Sequence, residues 1–310
     1  MKLICGVDIG GTSVKSILID EAQSVLSNAS FPTDSESGPE IFLENLCKSI
    51  QDQLETIPDG RLIAVGIGCT GPVNIETGVI LNPYTLPGLD GFALVKALEE
   101  RIGVPVAFEN DANTAHLGEL AGLTGEIPEN TLLMTIGTGV GCSLRVGGEL
   151  YNIPGGIHPE IGHIATGIDS EFVCYCGKTN CMENSLSGTA INRDAKHLFG
   201  LTPEEILDHC DTPAKQAYRE NLIKALTQSI TSLVGVFNCE MVFLVGGMRS
   251  FFEKYLIEDC QKRFNQLEPI YGKTRFAKTE PNYLSGCLGA ANLARNQMLP
   301  CCSFDHHYSL

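Results

Sequence analysis

Glycine-rich turns occur at two places in this 310-residue chain, each between two apolar segments. The first reads Asp8-Ile9-Gly10-Gly11-Thr12, and the second reads Gly137-Thr138-Gly139-Val140-Gly141. Glycine lets the backbone approach a ligand closely, and the exposed N–H groups of such turns bind phosphate. A single Gly-Gly turn is more typical of an ordinary hairpin. Two matched turns predict a clamp for a polyphosphate between two related halves of the chain.

Charged and hydroxyl side chains accompany the first turn. Asp8 lies near the carboxyl end of the apolar segment 3–9, Thr12 ends the turn, and Lys15 follows it. A carboxylate in this position can hold hydrated Mg²⁺ beside a phosphate group. We therefore expect magnesium and a nucleotide at this turn.

A second group of polar residues, Glu109-Asn110-Asp111, follows a predicted strand and precedes a predicted helix. Asn and Asp are favoured at the start of a helix, so these residues could simply be a helix cap. Alternatively, Asp111 is a general base, because phosphoryl transfer to an alcohol needs a carboxylate that accepts the hydroxyl proton. Asn110 could then hydrogen-bond a sugar hydroxyl group.

His163, Cys174, Cys176 and Cys181 are the residue types of a closed Zn²⁺ site. The spacing Cys-x-Cys-x₄-Cys, with Gly177 in the turn, allows three thiolates to converge, and His163 can supply the fourth ligand. Four protein ligands leave no position for water, so the zinc would be structural. The alternative is a set of unrelated buried thiols.

Two carboxylates, Glu160 and Glu183, lie on either side of this cluster in the sequence. A metal ion that orders the loop would also order both carboxylates, and this suggests a polar pocket for a hydroxyl-rich ligand. The alternative is that both are solvated acids in a loop.

Composition excludes several classes of protein. The net charge of −16, from 21 Lys and Arg against 37 Asp and Glu, argues against nucleic acid and anionic membranes as partners. We see neither an apolar run of about 20 residues nor a signal peptide, so we expect a cytoplasmic protein whose scattered cysteines are small buried apolar residues. The pairs Cys301-Cys302 and His306-His307 lie in a short polar tail, where we do not expect a metal site.

Strand-like and helical patterns alternate along the chain, which predicts an α/β fold. We expect a small N-terminal α/β domain, residues 1–118, and a larger C-terminal one, 119–310, with the last helix (about 285–298) packing back on the first. The expected elements are a hairpin within 1–20, helix 41–54, strand 62–68, helix 92–102, strand 104–108, hairpin 131–146, helix 213–237, strand 241–245 and helix 285–296.

Taken together, these motifs resemble those of the ROK family of sugar kinases, along essentially the whole chain. The matching segments, in order, are Asp8-x-Gly10-Gly11-Thr12-x-x-Lys15, Glu109-Asn110-Asp111-Ala112-Asn113, Gly137-Thr138-Gly139-x-Gly141, Glu160-Ile161-Gly162-His163 and Cys174-x-Cys176-Gly177-x-x-x-Cys181-x-Glu183. The resemblance implies a two-domain, actin-like ATPase (ribonuclease-H-like) fold with an interdomain active-site cleft. It also implies ATP with Mg²⁺ as phosphoryl donor, a hexose acceptor, a structural Zn²⁺ and a homodimer.

The resemblance also assigns roles residue by residue. Asp111 resembles the base that takes the proton of the sugar 6-hydroxyl group. The sugar-binding positions would be Gly71, Asn82, Asn110, Asp111, Glu160, His163 and Glu183, with His163 also binding zinc. The ATP-binding positions would be Asp8, Gly10, Gly11, Thr12, Lys15, Thr138, Gly139, Gly246 and Gly247.

Some residues depart from the family pattern. Cys142-Ser143 follows the second glycine turn where many relatives have Gly, and Ile157-His158-Pro159 precedes Glu160 where glucose-type members often have Ala-Gly. We expect glucose as substrate, and fructose, mannose, an N-acetylhexosamine or a β-glucoside stay open. A remote alternative is a sugar sensor or repressor without catalysis. The family's repressors carry an N-terminal DNA-binding module, whereas here the phosphate turn begins at Asp8 and the net charge opposes DNA binding.

Overall fold

The protein is described by a computed structural model that covers residues 1–124, 126–155, 157–267, 274–277 and 284–298, with the side chains of the last helix described to residue 297. It divides into two compact units. The N-terminal unit is Met1–Thr124, Asn152–Pro159 and Asn282–Leu310, and the second unit is Gly125–Tyr151 and Glu160–Pro281. The predicted boundary between residues 118 and 119 stays a prediction. Gly125, close to that boundary, and the Cys/His tail, residues 301–307, lie outside the described residues.

The N-terminal unit is built on a five-stranded sheet in the order β3-β2-β1-β4-β7. Strand β2 pairs antiparallel with both β1 and β3, whereas β1, β4 and β7 are parallel. The strands are β1 Lys2–Ile9, β2 Ser13–Ile19, β3 Val25–Pro32, β4 Arg61–Cys69, the short pair β5 Val73–Asn74 and β6 Val79–Ile80, and β7 Val106–Asn110. The predicted hairpin within residues 1–20 is β1 and β2. A third strand, β3, which the sequence analysis did not predict, lies between this hairpin and the predicted helix 41–54.

Helices cover this sheet because each presents an apolar stripe to it. The helices are α1 Pro39–Glu55, α2 Leu94–Ile102, α3 Asp111–Ala121 and, from the C-terminal part of the chain, Ser285–Met298. In α1 the buried side chains include Phe42, Leu46 and Ile50, at helical spacing. The C-terminal helix packs on β1, β4 and α3. It approaches so closely that a Cβ atom at Gly66 would lie 1.7 Å from the Ala290 carbonyl oxygen.

The second unit repeats the same arrangement of strands. Its sheet has the order β10-β9-β8-β11-β12, in which β8 and β9 form an antiparallel hairpin and β11 pairs parallel to β8. The strands are β8 Thr131–Ile136, β9 Val140–Val146, β10 Glu149–Leu150, β11 Met241–Val245 and β12 Arg275–Phe276. Both units thus place a glycine turn between two hairpin strands beside a parallel strand.

The helices of the second unit surround a separate apolar core. They are α4 Met182–Leu186, α5 Gly188–Phe199, α6 Pro203–Asp208, α7 Pro213–Phe237, α8 Arg249–Tyr255 and α9 Ile257–Phe264, so the C-terminal helix is α10. The longest, α7, begins at a Thr212 cap and buries Leu222, Leu226, Ile230 and Leu233. Among the helices that the structure describes, none is both long and apolar enough to cross a membrane.

Candidate active site

The carboxyl ends of three parallel strands bring the polar residues of the N-terminal unit to one edge of the sheet. Asp8 of β1 pairs with Gly68 of β4, and Cys69 of β4 pairs with Asn110 of β7. Carboxyl ends of neighbouring parallel strands are where open α/β sheets bind their ligands. The structure therefore brings Asp8, Asn110 and Asp111 to one edge of this sheet.

Asp111 is the first residue of α3, and the preceding Asn110 caps the helix. The Asn110 side chain accepts a hydrogen bond from the Ala112 N–H at 2.9 Å, and so does the Asp111 carboxylate, also at 2.9 Å. The helix cap and the carboxylate at the strand edge therefore do not exclude each other. Asn110 caps the helix, and Asp111 lies at the strand edge.

Burial of its carboxylate raises the pKa of Asp111 to about 7, and the negative charge of Asp8 adds to this shift. Hydrogen bonds from the Ala112 N–H and the Thr70 side chain oppose the shift in the pKa without cancelling it. A carboxylate with a pKa near neutral is a stronger proton acceptor than an ordinary aspartate. This is the electrostatic setting that a general base requires.

Asp8 is itself a buried carboxylate. Burial raises the pKa of Asp8, and the positive charge of Lys15, its partner across the β1/β2 pair, lowers it. The start of α10 closes against it, because a Cβ atom at Gly286 would lie 2.9 Å from the Asp8 carboxyl carbon. Two carboxylates at one edge, with a single lysine beside them, form a setting that a divalent cation would stabilise.

The turn after β4 carries Gly71 and is held by Asn82, which is fully buried. The Asn82 amide donates to the carbonyl oxygens of Thr70 and Gly71 at 3.2 and 2.5 Å and to the Thr85 hydroxyl group at 2.6 Å. Its oxygen accepts from the Thr85 N–H at 2.9 Å. Because the Asn82 amide already bonds these partners, its role at this edge is to hold the shape of the turn that carries Gly71.

A hydrogen-bond network behind Asp111 includes residues that the sequence analysis did not single out. The buried Glu109 carboxylate accepts from the Asn113 amide at 3.0 Å and from the Asn152 amide at 2.9 Å. Asn113 also donates to the Asn152 side-chain oxygen at 3.1 Å. Burial raises the pKa of Glu109, and these amides lower it. Asn152 lies 43 residues from Glu109, so no local pattern could have indicated the contact.

The first glycine turn is braced by residues that follow β3. The Thr33 hydroxyl group donates to the Gly10 carbonyl oxygen at 2.6 Å, and the Thr33 N–H donates to the Thr12 carbonyl oxygen at 3.0 Å. Gly11 and Thr12 are exposed at the tip. The carbonyl groups are thus turned toward the protein, and the tip is accessible to a ligand.

The second glycine turn is braced in the same way by the start of α5. The Gly188 N–H donates to the Gly137 carbonyl oxygen at 2.7 Å, and the Thr189 hydroxyl group donates to the Thr138 carbonyl oxygen at 2.8 Å. The turn also receives Glu183, whose carboxylate accepts from the Val140 N–H at 3.2 Å.

Gly246 and Gly247 follow β11 beside this turn. Gly246 has φ 97°, and a Cβ atom there would lie 2.5 Å from the Ile136 carbonyl oxygen, so both conformation and space favour glycine. The Met248 N–H donates to that same carbonyl oxygen at 2.9 Å. The structure thus brings Thr138, Gly139, Gly246 and Gly247 to one end of the second sheet.

The predicted metal ligands also come together. One ligand atom from each of His163, Cys174, Cys176 and Cys181 lies within 4.8 Å of the others. The imidazole Nδ1 faces this cluster, 3.9 Å from the Cys174 sulfur, and Nε2 lies 2.9 Å from the Tyr175 hydroxyl group. Three sulfur atoms and one imidazole nitrogen, drawn from a single loop, can hold a tetrahedral metal ion.

Glu160 and Glu183 lie near His163 of this cluster. Glu160 precedes the 3₁₀ turn Ile161–His163, and Glu183 lies in α4. Desolvation raises the pKa of Glu160, the charge of His163 lowers it, and the charge of Glu183 raises it again. Glu160, His163 and Glu183 therefore act on one another over a short distance, and so form one polar group.

Comparison with known proteins places the chain in a family. The model of the ROK family matches residues 4–297. The chain belongs to the ROK family. A glucokinase of Streptomyces coelicolor is 30% identical over 323 residues, covering 95% of this chain and 98% of that protein. An N-acetylmannosamine kinase of Escherichia coli is 30% identical over 299 residues, covering 94% and 98%.

Solved structures agree with this membership in the ROK family. A ROK hexokinase from Thermus thermophilus superposes with a TM-score of 0.81 at 27% identity, covering 96% of this chain and 99% of that one. A ROK family glucokinase from Streptomyces griseus, in complex with glucose and AMPPNP, superposes with a TM-score of 0.69 at 25% identity, covering 95% and 99%. The predicted actin-like ATPase fold is thereby confirmed.

Proposed function

We propose that this protein, an ATP-dependent sugar kinase of the ROK family, transfers the γ-phosphate of ATP to the 6-hydroxyl group of a hexose, with glucose as the first candidate. The observation that carries the proposal is the position and the raised pKa of Asp111 at the carboxyl end of β7. Kinase relatives at 30% identity over nearly the whole chain support the reaction class.

In the proposed reaction, Asp111 accepts the proton of the sugar 6-hydroxyl group as that oxygen attacks the γ-phosphorus. The bond from oxygen to phosphorus forms, the bond to the β-phosphate oxygen breaks, and ADP leaves. The pKa of about 7 suits this role, because Asp111 can both lose its proton at neutral pH and take one from the alcohol. Asn110 would orient the sugar, and Asn82 would act through the turn that carries Gly71.

We propose that the nucleotide contacts lie on the two glycine turns. Gly10, Gly11 and Thr12 of the first turn and Thr138 and Gly139 of the second would bind phosphate oxygens, and Gly246 and Gly247 would lie against the adenosine. Asp8 would hold Mg²⁺, and Lys15 would balance charge beside it. These assignments rest on the exposed, well-braced turns and on the family resemblance.

The thiol and imidazole cluster fits a structural Zn²⁺, because its four donors converge and are the types that zinc prefers. Bound there, zinc would cross-link the loop and so hold Glu160, His163 and Glu183 ready for sugar hydroxyl groups. Metal binding of this kind adds to folding stability. The prediction that His163 also contacts sugar would then use its other nitrogen, Nε2.

A second candidate substrate is N-acetylmannosamine, which the Escherichia coli relative named for it favours at the same 30% identity. Fructose, mannose and β-glucosides, which the sequence analysis also named, are further candidate substrates. We also propose a homodimer, as the resemblance implies, and a cytoplasmic location where ATP is available. Light scattering on the purified protein would test the dimer.

The function is tested by a coupled assay of ADP formation over glucose, mannose, fructose, N-acetylmannosamine, N-acetylglucosamine and a β-glucoside, each with MgATP. One of these sugars should be turned over, and the 6-phosphate should be identified by mass spectrometry and NMR. A folded, metal-loaded protein that turns over none of them would overturn the proposal and favour a sugar sensor.

A further inference from the structure

Tyr175 stands between two of the predicted metal ligands, yet its hydroxyl group lies among the predicted sugar ligands. The hydroxyl oxygen is 2.9 Å from His163 Nε2, and it hydrogen-bonds the Glu183 carboxylate. The tyrosine ring meets the imidazole edge to face, with centroids 4.9 Å apart. Nothing in the cysteine spacing requires an aromatic residue here.

Both carboxylates act on this hydroxyl group. The hydroxyl group hydrogen-bonds the Glu183 carboxylate and lies within range of the Glu160 charge. The residue as a whole is nevertheless 74% exposed. The hydroxyl end is thus held in a polar group of side chains while the ring faces solvent, so the side chain can leave without disrupting an apolar core.

The Tyr175 hydroxyl group accepts one hydrogen bond and donates another, as a sugar hydroxyl group would. Because Nδ1 of His163 faces the thiols, a metal ion bound there leaves the imidazole proton on Nε2. Nε2–H then donates to the Tyr175 oxygen, and the Tyr175 O–H donates to Glu183. A sugar hydroxyl group can likewise accept one hydrogen bond and donate another.

We propose that the Tyr175 hydroxyl group occupies, in the sugar-free protein, the position of one sugar hydroxyl group, and that the hexose binds by displacing it from His163 and Glu183. This inference rests on the proposed function, which assigns His163 and Glu183 to the sugar. Tyr175 therefore sets the affinity for sugar by competing for its ligands. Because Glu183 also accepts from the Val140 N–H in the second glycine turn, the exchange takes place beside the proposed phosphate contacts.

The test is Tyr175→Phe, which removes the hydroxyl group and keeps the ring against His163. Loss of the competing hydrogen bonds should lower the Kd for the preferred hexose, measured by calorimetry without ATP, by about 2- to 10-fold. The KM should fall in parallel while kcat stays within about twofold, since the hydroxyl group does not touch the transferred phosphoryl group. Metal content per chain should equal that of the wild type. Tyr151→Phe, a partly exposed tyrosine of the same unit whose ring contacts Phe237, is the matched control and should leave Kd unchanged.

Deoxy sugars make the exchange specific. An analogue that lacks the displacing hydroxyl group cannot replace Tyr175, so for one of the 1-, 2-, 3- and 4-deoxy analogues of the preferred hexose the gain from Tyr175→Phe should vanish. An unchanged Kd of the Tyr175→Phe variant for the parent hexose would overturn the inference. A raised Kd would also overturn it and would make Tyr175 a sugar ligand. An equal gain for every analogue would also overturn it. If the wild type neither binds nor turns over any hexose, both the proposed function and this inference fail. If the wild type is an active kinase and Tyr175→Phe does not lower Kd, only the inference about Tyr175 fails.

Discussion

The two units hold their candidate functional side chains by different means. In the N-terminal unit, Asp8 and Asp111 lie at the ends of parallel strands, and backbone pairing of β1, β4 and β7 sets their positions. In the second unit, Glu160 and His163 lie at a 3₁₀ turn and Glu183 in a five-residue helix. These short elements offer little backbone pairing, and we propose that the cluster of side chains in the same loop holds the three in place.

This difference predicts how each region fails. A substitution at the strand edge should change the chemistry and leave the structure intact, because backbone hydrogen bonds hold the edge. A substitution in the thiol cluster should disorder the loop first and lose activity as a consequence. The predictions below separate these two kinds of failure, beginning with the largest effect.

Asp111→Asn should reduce kcat by about 10²–10⁴-fold, the usual contribution of a general base. The asparagine keeps the size of the side chain and can still accept from the Ala112 N–H, so sugar affinity measured without ATP should change little. Asp90→Asn, at an exposed position, is the control. Near-normal turnover in the Asp111 variant would remove the assignment and leave Asp111 as part of a helix start.

Cys176→Ser should affect the second unit through the proposed zinc site. Wild-type protein should contain close to one zinc per chain, and the variant should bind it more than about 100-fold more weakly, since even partners outside the ligand shell change metal affinity by about 10–100-fold. Tm and activity should fall together. Cys210→Ser, a partly buried thiol outside the cluster, should keep its zinc. A metal-free wild type with full activity would contradict the zinc proposal.

The sequence predicted the regular parts of both regions well. Helix 213–237 and strand 241–245 have the predicted bounds, because long apolar periodicity and a buried strand with glycines after it are strong local signals. The short helices α4, α6, α8 and α9 were not predicted, since five to eight residues carry little periodicity. The 3₁₀ turn Ile161–His163, which lies beside helix α4 in the thiol-rich part of the chain, was likewise not predicted.

At the site, motif residues could be predicted and their partners could not. The ligand spacing indicated His163 and the three cysteines. It did not indicate Tyr175, because the residue between Cys174 and Cys176 can be of any type in this pattern. Asn152 meets Glu109 only through the tertiary fold. Side chains that act through long-range hydrogen bonds leave no local pattern in a single sequence.

The pKa of Asp111 offers a test of the strand edge that needs no substrate. Its folded pKa of about 7 lies above the ordinary value of 3.8, so the folded state binds the proton more tightly than the unfolded state. Stability linked to this group is therefore present at low pH and is lost as pH rises toward and through 7. Asp111→Asn, which removes this ionisation, should raise Tm relative to the wild type at pH 8 and should do so much less at pH 5.

Thermal unfolding of both proteins without Mg²⁺ or nucleotide, scanned from pH 5 to pH 8, measures this difference. Added Mg²⁺ should reduce it at pH 8, because a cation beside Asp8 favours the ionised carboxylates. A Tm difference that is constant across the pH range would mean that Asp111 ionises as an ordinary exposed aspartate.

The smallest expected effect concerns the network behind Asp111. Asn152→Ala removes one donor to the buried Glu109 carboxylate and one of the two acceptors of the Asn113 amide, and should lower stability by about 1–3 kcal/mol. Asn152→Asp should cost more, because it sets a second negative charge against Glu109 in a buried setting. The two variants together distinguish a hydrogen-bond network from simple packing, since packing alone would tolerate the near-isosteric aspartate better than alanine. Denaturant unfolding of the two variants measures the order, and an aspartate variant more stable than the alanine variant would show that the strand edge does not depend on this contact.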